Sequence, residues 1–340
     1  MENTPKKITV LGAGAWGAVL AGLLARKGHN VLAWDFIPVV VEALDKNRSH
    51  PKLPNFVLPD SVRLTSNLRE AFDFGAEAVV VVVPSHGLRG LAKEWQTMEV
   101  GKLGAPWIIC TKGIEEESLL PMTGVVEDVW GSGSAQRIAA LSGPTFAAEV
   151  ARELPTTVCV ASSNPELSAY FQNLFITSAF RVYTQDDVIG VEIGAALKNV
   201  IAIAAGVCDG LQLGDNARAA LITRGLAEIT RLGVSMGARP ETFSGLTGMG
   251  DLVLTCCGNL SRNHSFGILL SHGSTATEAQ KKIGMVVEGV RTALSAYHLA
   301  KSRGVQMPIV NEIYAVLNDG KSPKDAVRNL MDRAARPERD

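Results

Sequence analysis

The sequence predicts two domains: an α/β domain over residues 1–187, followed by an all-α domain over residues 188–340. Three observations support this. The chain has 340 residues, more than one hydrophobic core usually serves. Short β-rich runs alternate with helical patterns up to a polar segment at 185–187, and helical patterns alone follow it. A glycine-rich turn separates the first strand from the first helix, as in nucleotide-binding α/β domains.

The composition describes a soluble globular protein. Hydrophobic residues make up 46% and charged residues 20%, and the net charge of -1 shows no basic excess for nucleic acid. The polar amino terminus predicts neither a signal peptide nor a transit peptide. Five cysteines without a CxxC pair favour reduced thiols. We therefore expect a cytoplasmic protein with no integral membrane association, no nucleic-acid partner and no metal site.

The first strand runs into a turn that fits dinucleotide binding. Residues 7–11 (KITVL) are β-rich, residues 12–17 read GAGAWG, and a helical pattern follows. Gly12 permits the tight turn, Gly14 lets a pyrophosphate approach the backbone, and Gly17 lets helix and sheet pack closely. The phosphates would lie at the amino terminus of the helix. This order predicts a Rossmann-type domain, the alternative being a glycine turn that serves packing alone.

A second strand, predicted at 30–34, ends at Asp35, an acid that bears on the choice of cofactor. A carboxylate at this point can accept hydrogen bonds from both ribose hydroxyls of NAD. The same carboxylate would repel the 2′-phosphate of NADP, and no arginine follows it directly. The sequence therefore favours NAD over NADP, although Arg48 or another basic group folding back would reverse the preference.

Later strands of the first domain also end in polar residues. The run 77–84 (EAVVVVVP) is apolar throughout, as in the middle of a parallel sheet covered on both faces. The next strand ends just before Lys112, which alone reads equally well as a surface lysine. The turn 142–147, with the Thr145 hydroxyl, could hold an anionic or hydroxylated ligand. The remaining elements of this domain are predicted as strands at 107–110, 138–141, 155–161 and 180–183, and a helix at 165–175.

The first helix of the second half carries one lysine among apolar side chains. Between residues 188 and 208 the ionisable groups before the terminal cysteine are Glu192 and Lys198, so Lys198 should be buried nearly all round. Desolvation lowers a lysine pKa toward neutrality, as a general acid or base requires. The alternative is a lysine whose stem follows the helix to water or to a carboxylate. The predicted helices are 188–208, 216–232, 240–247, 262–271, 275–284, 289–303, 308–317 and 323–334.

Three other groups in this half point to a ligand, which we expect in a cleft between the two domains. Asp251 follows a glycine turn and precedes an apolar run. The segment 261–263 (SRN) opens a helix, where Arg262 can bind a phosphate in a bidentate way. The segment 287–289 (VEG) ends a short apolar run. Taken alone, Asp251 also reads as a helix cap and Arg262 as a surface arginine.

These stretches resemble the bacterial NAD(P)-dependent glycerol-3-phosphate dehydrogenase family over nearly the whole chain. The resemblance implies a dinucleotide-binding first domain, a helical second domain, a homodimer, and reversible conversion of dihydroxyacetone phosphate and NAD(P)H to sn-glycerol 3-phosphate for glycerophospholipid synthesis. The matching motifs are GAGAWG (12–17), VVVPSH (81–86), TKG (111–113), SGPTFA (142–147), FRVY (180–183), LKNVIAIAAGVCDGL (197–211), NARAALITRGLAE (216–228), GLTGMGDLVLTC (245–256), SRN (261–263) and VVEG (286–289).

The resemblance also assigns site residues. It places the proton-transfer lysine at Lys198. Position 15 is often serine in relatives and is alanine here, which removes a hydroxyl but keeps the backbone amide for phosphate binding. The family's cofactor preference is not carried over to Asp35. Substrate contacts fall on Lys112, Gly143, Thr145, Lys198, Asp251, Ser261, Arg262 and Asn263. Cofactor contacts fall on Ala15, Trp16, Lys112, Ala147, Arg262, Val286 and Glu288, beside Gly12, Gly14, Gly17 and Asp35 from the motif itself.

The predicted chemistry is reduction of a ketone. Lys198, as ammonium, would donate the proton for the developing alkoxide, Lys112 would add positive potential, and Asp251 could orient Lys198. Two lysines facing one carbonyl would also lower each other's pKa. Two other classes stay open. A two-domain hydroxy-acid or keto-acid dehydrogenase would not need Arg262 to hold a phosphate, and a nucleotide-binding regulator would bind NAD without turnover.

Overall fold

The computed structural model describes residues 4–53, 55–99, 104–131, 133–335 and 337–338. The chain divides into two compact units. The first comprises Met1–Lys112 and Leu120–Glu192, and the second comprises Gly113–Leu119 and Ile193–Asp340. The domain boundary at residue 187 remains a prediction.

The first unit is an α/β domain built on a sheet of eight strands, β1 to β8, and seven α-helices, α1 to α7, among its described residues. Short 3₁₀ turns lie at Ser85–Gly87 and Ser134–Arg137. The strands are Lys7–Leu11, Asn30–Trp34, Arg63–Thr65, Ala78–Val81, Trp107–Ile109, Ile138–Ser142, Thr156–Ala161 and Phe180–Gln185. The helices are Ala15–Arg26, Pro38–Asn47, Leu68–Asp73, Leu88–Met98, Met122–Trp130, Ala147–Ala151 and Pro165–Phe175.

The sheet has the order β3-β2-β1-β4-β5-β6-β7-β8, and neighbouring strands are parallel except for β6 and β7. Alternate residues of β4 belong to different hydrophobic clusters. Val80 packs in the cluster that contains Leu20 of α1, whereas Val79 packs in the cluster that contains Trp95 of α4. Successive side chains of a strand point to opposite faces, so the sheet is covered on both sides, as its apolar run predicted.

The second unit is helical, with the long helix α8 and eight further helices, α9 to α16, among its described residues. This confirms the predicted fold class of an α/β domain followed by helices. A π-helical turn lies at Leu246–Gly250. Helices α8 to α16 are Val188–Gly210, Asp215–Ser235, Pro240–Phe243, Asp251–Cys257, Arg262–Ser271, Ala276–Ile283, Glu288–Ser302, Pro308–Asn318 and Pro323–Met331.

One predicted helix of the second unit is wrong in part. The sequence predicted a helix over 240–247, but α10 ends at Phe243 and the π-helical turn follows. A Cβ at Gly248 would lie 2.1 Å from the carbonyl oxygen of Phe243, so the chain folds back more closely than any other residue there would allow. The helix α11, which carries Asp251, was read from the sequence only as an apolar run.

Helix α8 is the buried element of the second unit. Every residue from 191 to 208 is buried. By length and hydropathy α8 could cross a membrane, but 89% of its most apolar window is buried inside the protein. This is the pattern of a core helix, as the sequence predicted.

A buried glutamate joins two helices of the second unit. Glu228 of α9 is 3% exposed and accepts hydrogen bonds from the N–H groups of Ile309 (2.8 Å) and Val310 (3.2 Å) at the start of α15. Burial raises the pKa of this carboxyl to about 7, against the two N–H donors, which lower it. Glu228 therefore fixes the start of α15 to α9. Its carboxyl also keeps a proton at pH values where the carboxyl of an unfolded glutamate is already ionised.

We expect this carboxyl to make stability depend on pH. Because its pKa is raised by folding, its stabilising contribution is complete below about pH 4.5 and is lost as the pH rises to about 7, by up to about 1.4 kcal/mol per pH unit. Urea unfolding between these pH values should show wild-type stability falling relative to Glu228→Gln. Substitution of the exposed Glu241 by glutamine should not change the slope, and parallel curves for wild type and Glu228→Gln would contradict the prediction.

Candidate active site

The glycine turn between β1 and α1 has the geometry that its sequence predicted. Gly12 has φ +108°, and a Cβ there would lie 2.9 Å from the backbone of Val82 at the end of β4. A Cβ at Gly17 would lie 1.8 Å from the carbonyl oxygen of Gly12, so helix and turn can approach only without a side chain. Both glycines are therefore required by the fold of the turn itself.

Gly14 differs from Gly12 and Gly17, because the fold of the turn would also accommodate a side chain at this position. It is exposed, and a Cβ there would meet no atom within 4 Å. It is the N-cap residue of α1, where no side chain accepts from the first N–H groups of the helix. The half-buried Ala15 and Trp16 follow it. An open space in front of uncapped helix N–H groups fits a pyrophosphate, so the turn can hold a dinucleotide.

Asp35, directly after β2, is tied to this turn. One carboxylate oxygen accepts from the N–H of Ala13 (2.8 Å), and the other accepts from the N–H of Ile37 (3.0 Å). The side chain is thereby held in one orientation beside the glycine turn. Each oxygen can accept a further hydrogen bond, as contact with ribose hydroxyls requires.

A second set of predicted site residues lies along the carboxyl ends of β4, β5 and β6. The hydroxyl of Thr111 donates to the carbonyl oxygen of Val83 at 2.7 Å, which joins the ends of β4 and β5. Lys112 Nζ approaches the carbonyl oxygen of Gly143 at 3.5 Å, and the Thr145 hydroxyl donates to the same oxygen at 3.1 Å. Lys112, Gly143 and Thr145 are thus brought together, on the same sheet edge as the glycine turn. Ala147, the first residue of α6, follows in the chain.

The second unit holds a buried ion pair. Lys198 of α8 is 7% exposed, Asp251 is 0% exposed, and Lys198 Nζ contacts Asp251 Oδ1 directly. The lysine therefore reaches a carboxylate inside the protein. Asp251 is the first residue of α11, and the N-cap position of that helix is occupied by Gly250. A buried lysine and a buried carboxylate satisfy each other, and they hold a proton donor in a fixed direction.

The two helices that carry this pair approach closely at a glycine. A Cβ at Gly194, one turn before Lys198, would lie 2.5 Å from the carbonyl oxygen of Thr247, one turn before Asp251. Residues four apart on a helix share a face, so the Gly194 contact sets the register that brings Lys198 to Asp251. The π-helical turn that contains Thr247 is a rare geometry and occurs mostly at functional sites.

The start of α12 carries three of the predicted substrate contacts. Ser261 is the N-cap, and its hydroxyl accepts from the N–H of His264 at 3.2 Å. Arg262 is exposed, donates to the carbonyl oxygen of Val286 at 2.8 Å, and lies near the charge of Glu288. A guanidinium next to helix N–H groups is suited to an anion.

Asn263 has an additional role that the sequence did not reveal. Its side chain donates to Asn199 Oδ1 at 3.0 Å and accepts from the N–H of Gly289 at 3.0 Å, so it joins α8, α12 and α14. Asn199 directly follows Lys198. The polar residue that follows Lys198 in the apolar pattern of α8 was the signal that could have identified this role, because buried polar groups need partners.

Comparison with known proteins gives one consistent result. The family model described as the N-terminus of NAD-dependent glycerol-3-phosphate dehydrogenase matches residues 7–168, and the model of its C-terminus matches residues 187–328. A protein of Geobacter sulfurreducens named glycerol-3-phosphate dehydrogenase [NAD(P)+] is 49% identical over 335 residues, which cover 98% of this chain and 99% of that protein. A protein of the same name from Bacillus pumilus is 48% identical and covers 96% and 94%.

Solved structures agree with the sequences. The crystal structure of glycerol-3-phosphate dehydrogenase from Coxiella burnetii matches with a TM-score of 0.91 and 37% identity, over 97% of this chain and 99% of that one. The similarity therefore covers both units of the chain.

Proposed function

Because the chain belongs to the NAD-dependent glycerol-3-phosphate dehydrogenase family, we propose that it reduces dihydroxyacetone phosphate to sn-glycerol 3-phosphate with NADH or NADPH, reversibly. The observation that carries the proposal for this chain is the buried contact between Lys198 Nζ and Asp251 Oδ1. Ketone reduction requires a proton donor held in place, and this pair supplies one.

The roles of the residues follow from what the reaction needs. The bound nicotinamide supplies the hydride to the carbonyl carbon. Lys198, as ammonium, donates a proton from Nζ to the developing alkoxide and stabilises its negative charge. Asp251 favours the charged amine and fixes its direction. In the reverse reaction the neutral amine accepts the proton of the alcohol.

The other predicted site residues fall into groups according to the part of the substrate or cofactor that they contact. Arg262 and the N–H groups at the start of α12 bind the phosphate of the substrate, with Ser261 and Asn263 shaping that turn. Lys112, with Gly143 and Thr145, adds positive potential and hydrogen bonds at the sheet edge. Trp16, Ala147, Val286 and Glu288 are proposed as further cofactor contacts.

We expect Arg262→Ala to raise KM for dihydroxyacetone phosphate by at least about tenfold while changing kcat much less. The phosphate is bound equally in the ground state and the transition state, so its loss weakens binding more than chemistry. Arg262→Lys should be intermediate, because it keeps the charge but not the bidentate geometry. Steady-state kinetics would measure both values, with the exposed Arg328→Ala as the control. An unchanged KM in Arg262→Ala would remove Arg262 from the phosphate site.

A substrate panel distinguishes this function from the two other classes. Oxidation of reduced cofactor should occur with dihydroxyacetone phosphate and be far slower with unphosphorylated dihydroxyacetone or with 2-keto acids. Preference for a keto acid would indicate a hydroxy-acid dehydrogenase. Cofactor binding without turnover of any substrate would indicate a regulator.

The metabolic pathway, the cellular location and the oligomeric state of the protein are also proposals. The product would supply glycerophospholipid synthesis, and the protein would act in the cytoplasm as a homodimer. The four buried cysteines and the exposed Cys257 are all free thiols, which suits a reducing compartment. Light scattering of the purified protein would give the mass in solution.

A further inference from the structure

A cluster of charged and polar side chains in the second unit lies behind the start of α12. Asp209, in the last turn of α8, accepts hydrogen bonds at both oxygens from Nη1 of Arg218 on α9, at 3.1 and 3.0 Å. The buried His264, in the first turn of α12, has its Nε2 atom 2.8 Å from Oδ2 of Asp209. The cluster therefore joins three helices, and none of these three residues was predicted as a site residue.

The partners of Asp209 fix the hydrogen bond that His264 makes. Nη1 of Arg218 contacts both carboxylate oxygens of Asp209, and Nη2 of the same guanidinium donates to the exposed Asp215. A carboxylate paired with a guanidinium can only accept, so the hydrogen lies on Nε2 of His264, which donates. Hydrogen bonds to a charged acceptor are stronger than neutral ones. The imidazole is thereby held in one orientation.

Helix α12 packs against α8 through glycines. A Cβ at Gly206 would lie 2.0 Å from the carbonyl oxygen of His264, and a Cβ at Gly267 would lie 2.1 Å from the carbonyl oxygen of Ile203. Side chains that interlock between two helices normally fix the angle at which they cross. Because glycines supply no such side chains, this contact fixes the distance between α8 and α12, and other groups must fix the tilt.

Two hydrogen bonds on opposite sides of Gly206 can fix that tilt. Asn263 bonds to Asn199 at 3.0 Å, and His264 bonds to Asp209 at 2.8 Å. Asn199 and Asp209 lie roughly 15 Å apart along α8, at about 1.5 Å per residue. Adjacent residues of α12 thus reach α8 on both sides of the glycine contact. Rocking of α12 about this contact would break one of the two bonds.

We infer that His264, held by Asp209, is a positioning residue for the phosphate of the substrate. It acts through Arg262, two residues earlier on α12, and through the N–H groups of the same turn. The hydroxyl of Ser261 accepts from the N–H of His264, so the N-cap moves together with the histidine. The inference rests on the proposed function, because it concerns the phosphate site of that reaction. A shift of about 1 Å in such a group can cost as much as 100-fold in rate.

A pair of variants distinguishes the hydrogen bond of His264 from its volume. His264→Leu keeps a side chain of comparable size but cannot donate to Asp209, which still has Arg218 as its partner. We expect KM for dihydroxyacetone phosphate to rise about tenfold while kcat stays within about threefold of wild type, since the phosphate is bound alike in the ground and transition states. His264→Gln can place an amide N–H near the position of Nε2 and should return KM to within about threefold of wild type.

The effect should depend on the phosphate and on Arg262. With unphosphorylated dihydroxyacetone, kcat/KM of His264→Leu should be close to that of wild type, because no phosphate has to be placed. The double variant Arg262→Ala/His264→Leu should raise KM for dihydroxyacetone phosphate little beyond Arg262→Ala alone, because residues that act as one unit are not additive. A loss of general stability would lower the activity with both substrates alike.

The control is His272→Ala, which removes an exposed histidine at the other end of α12 and should leave all constants at wild-type values. Thermal melts show whether each variant is folded. If His264→Leu does not fold, Asp209→Asn, which keeps the shape but weakens the bond, should show the same selective rise in KM.

Three results would overturn the inference and leave the dehydrogenase function standing: an unchanged KM in these folded variants, equal losses with both substrates, or no recovery in His264→Gln. Absence of turnover of dihydroxyacetone phosphate by the wild-type protein with either reduced cofactor would remove the proposed function and the inference together.

Discussion

Lys198→Ala is expected to reduce kcat by at least about 10²- to 10⁴-fold while NADH binding is retained. A placed general acid contributes about this much to a proton transfer, and Lys198 is the residue of α8 whose amine contacts the carboxylate of Asp251. The glycine turn belongs to the first unit and does not include this lysine. Steady-state kinetics should therefore show the loss in kcat, and titration with NADH should show an affinity close to that of wild type.

Control variants distinguish a loss of proton transfer from a loss of protein stability in the Lys198 variants. Removing the amine takes the positive charge away from the carboxylate of Asp251, which is 0% exposed, and breaking a buried ion pair in this way costs about 3–5 kcal/mol. Lys198→Met keeps the volume of the stem, and Asp251→Asn keeps an oxygen acceptor for Nζ, so both test the pair in a more stable protein. Lys321→Ala breaks a different ion pair, the partly buried one with Glu312 at 2.7 Å, and should leave kcat unchanged. Near-normal turnover in folded Lys198 variants would refute the proton-transfer role.

The second large effect is expected at the glycine turn, where two alanine substitutions should each weaken NADH binding, but for different reasons. Gly14→Ala should leave the melting temperature of the protein without cofactor unchanged, because its Cβ meets nothing within 4 Å. It should weaken NADH binding by at least about tenfold, since the methyl group would occupy the space proposed for the pyrophosphate.

Gly17→Ala should instead disturb the fold of the turn before any ligand binds. Its Cβ would lie 1.8 Å from the carbonyl oxygen of Gly12, so helix and turn must move apart. We expect a lower melting temperature as well as weaker NADH binding. Thermal melts with and without NADH measure both effects. An unchanged affinity in Gly14→Ala would place the pyrophosphate elsewhere and would show that the glycines serve packing alone.

Local patterns in the sequence were enough for most of the first unit. A strand, a glycine turn and a helix follow one another within about twenty residues, and each depends on contacts between near neighbours in the chain. The roles assigned to Gly12 and Gly17 are confirmed by the close approaches in the structure. The strand β3 was not predicted, because its three residues, RLT, show too short an alternation to recognise.

Contacts set by packing explain what the sequence analysis missed in the second unit. The π-helical turn before Asp251 depends on the close approach of Gly248 to Phe243, and the link from Asn263 to Asn199 joins residues 64 positions apart. Neither contact leaves a periodic signal. For the same reason, the sequence suggested that Asp251 could orient Lys198 but could not show that the two groups touch.

The sequence by itself determined the order of β-rich and helical segments, the glycine turn and the residue types at the site, because these follow from local propensity and spacing. Only the tertiary structure decided which of those residues contact one another: Lys198 with Asp251, Asn263 with Asn199, and Asp35 with the turn at Ala13. Contacts of that kind depend on how closely helices and strands pack, and packing is set by side chains that are distant in the sequence.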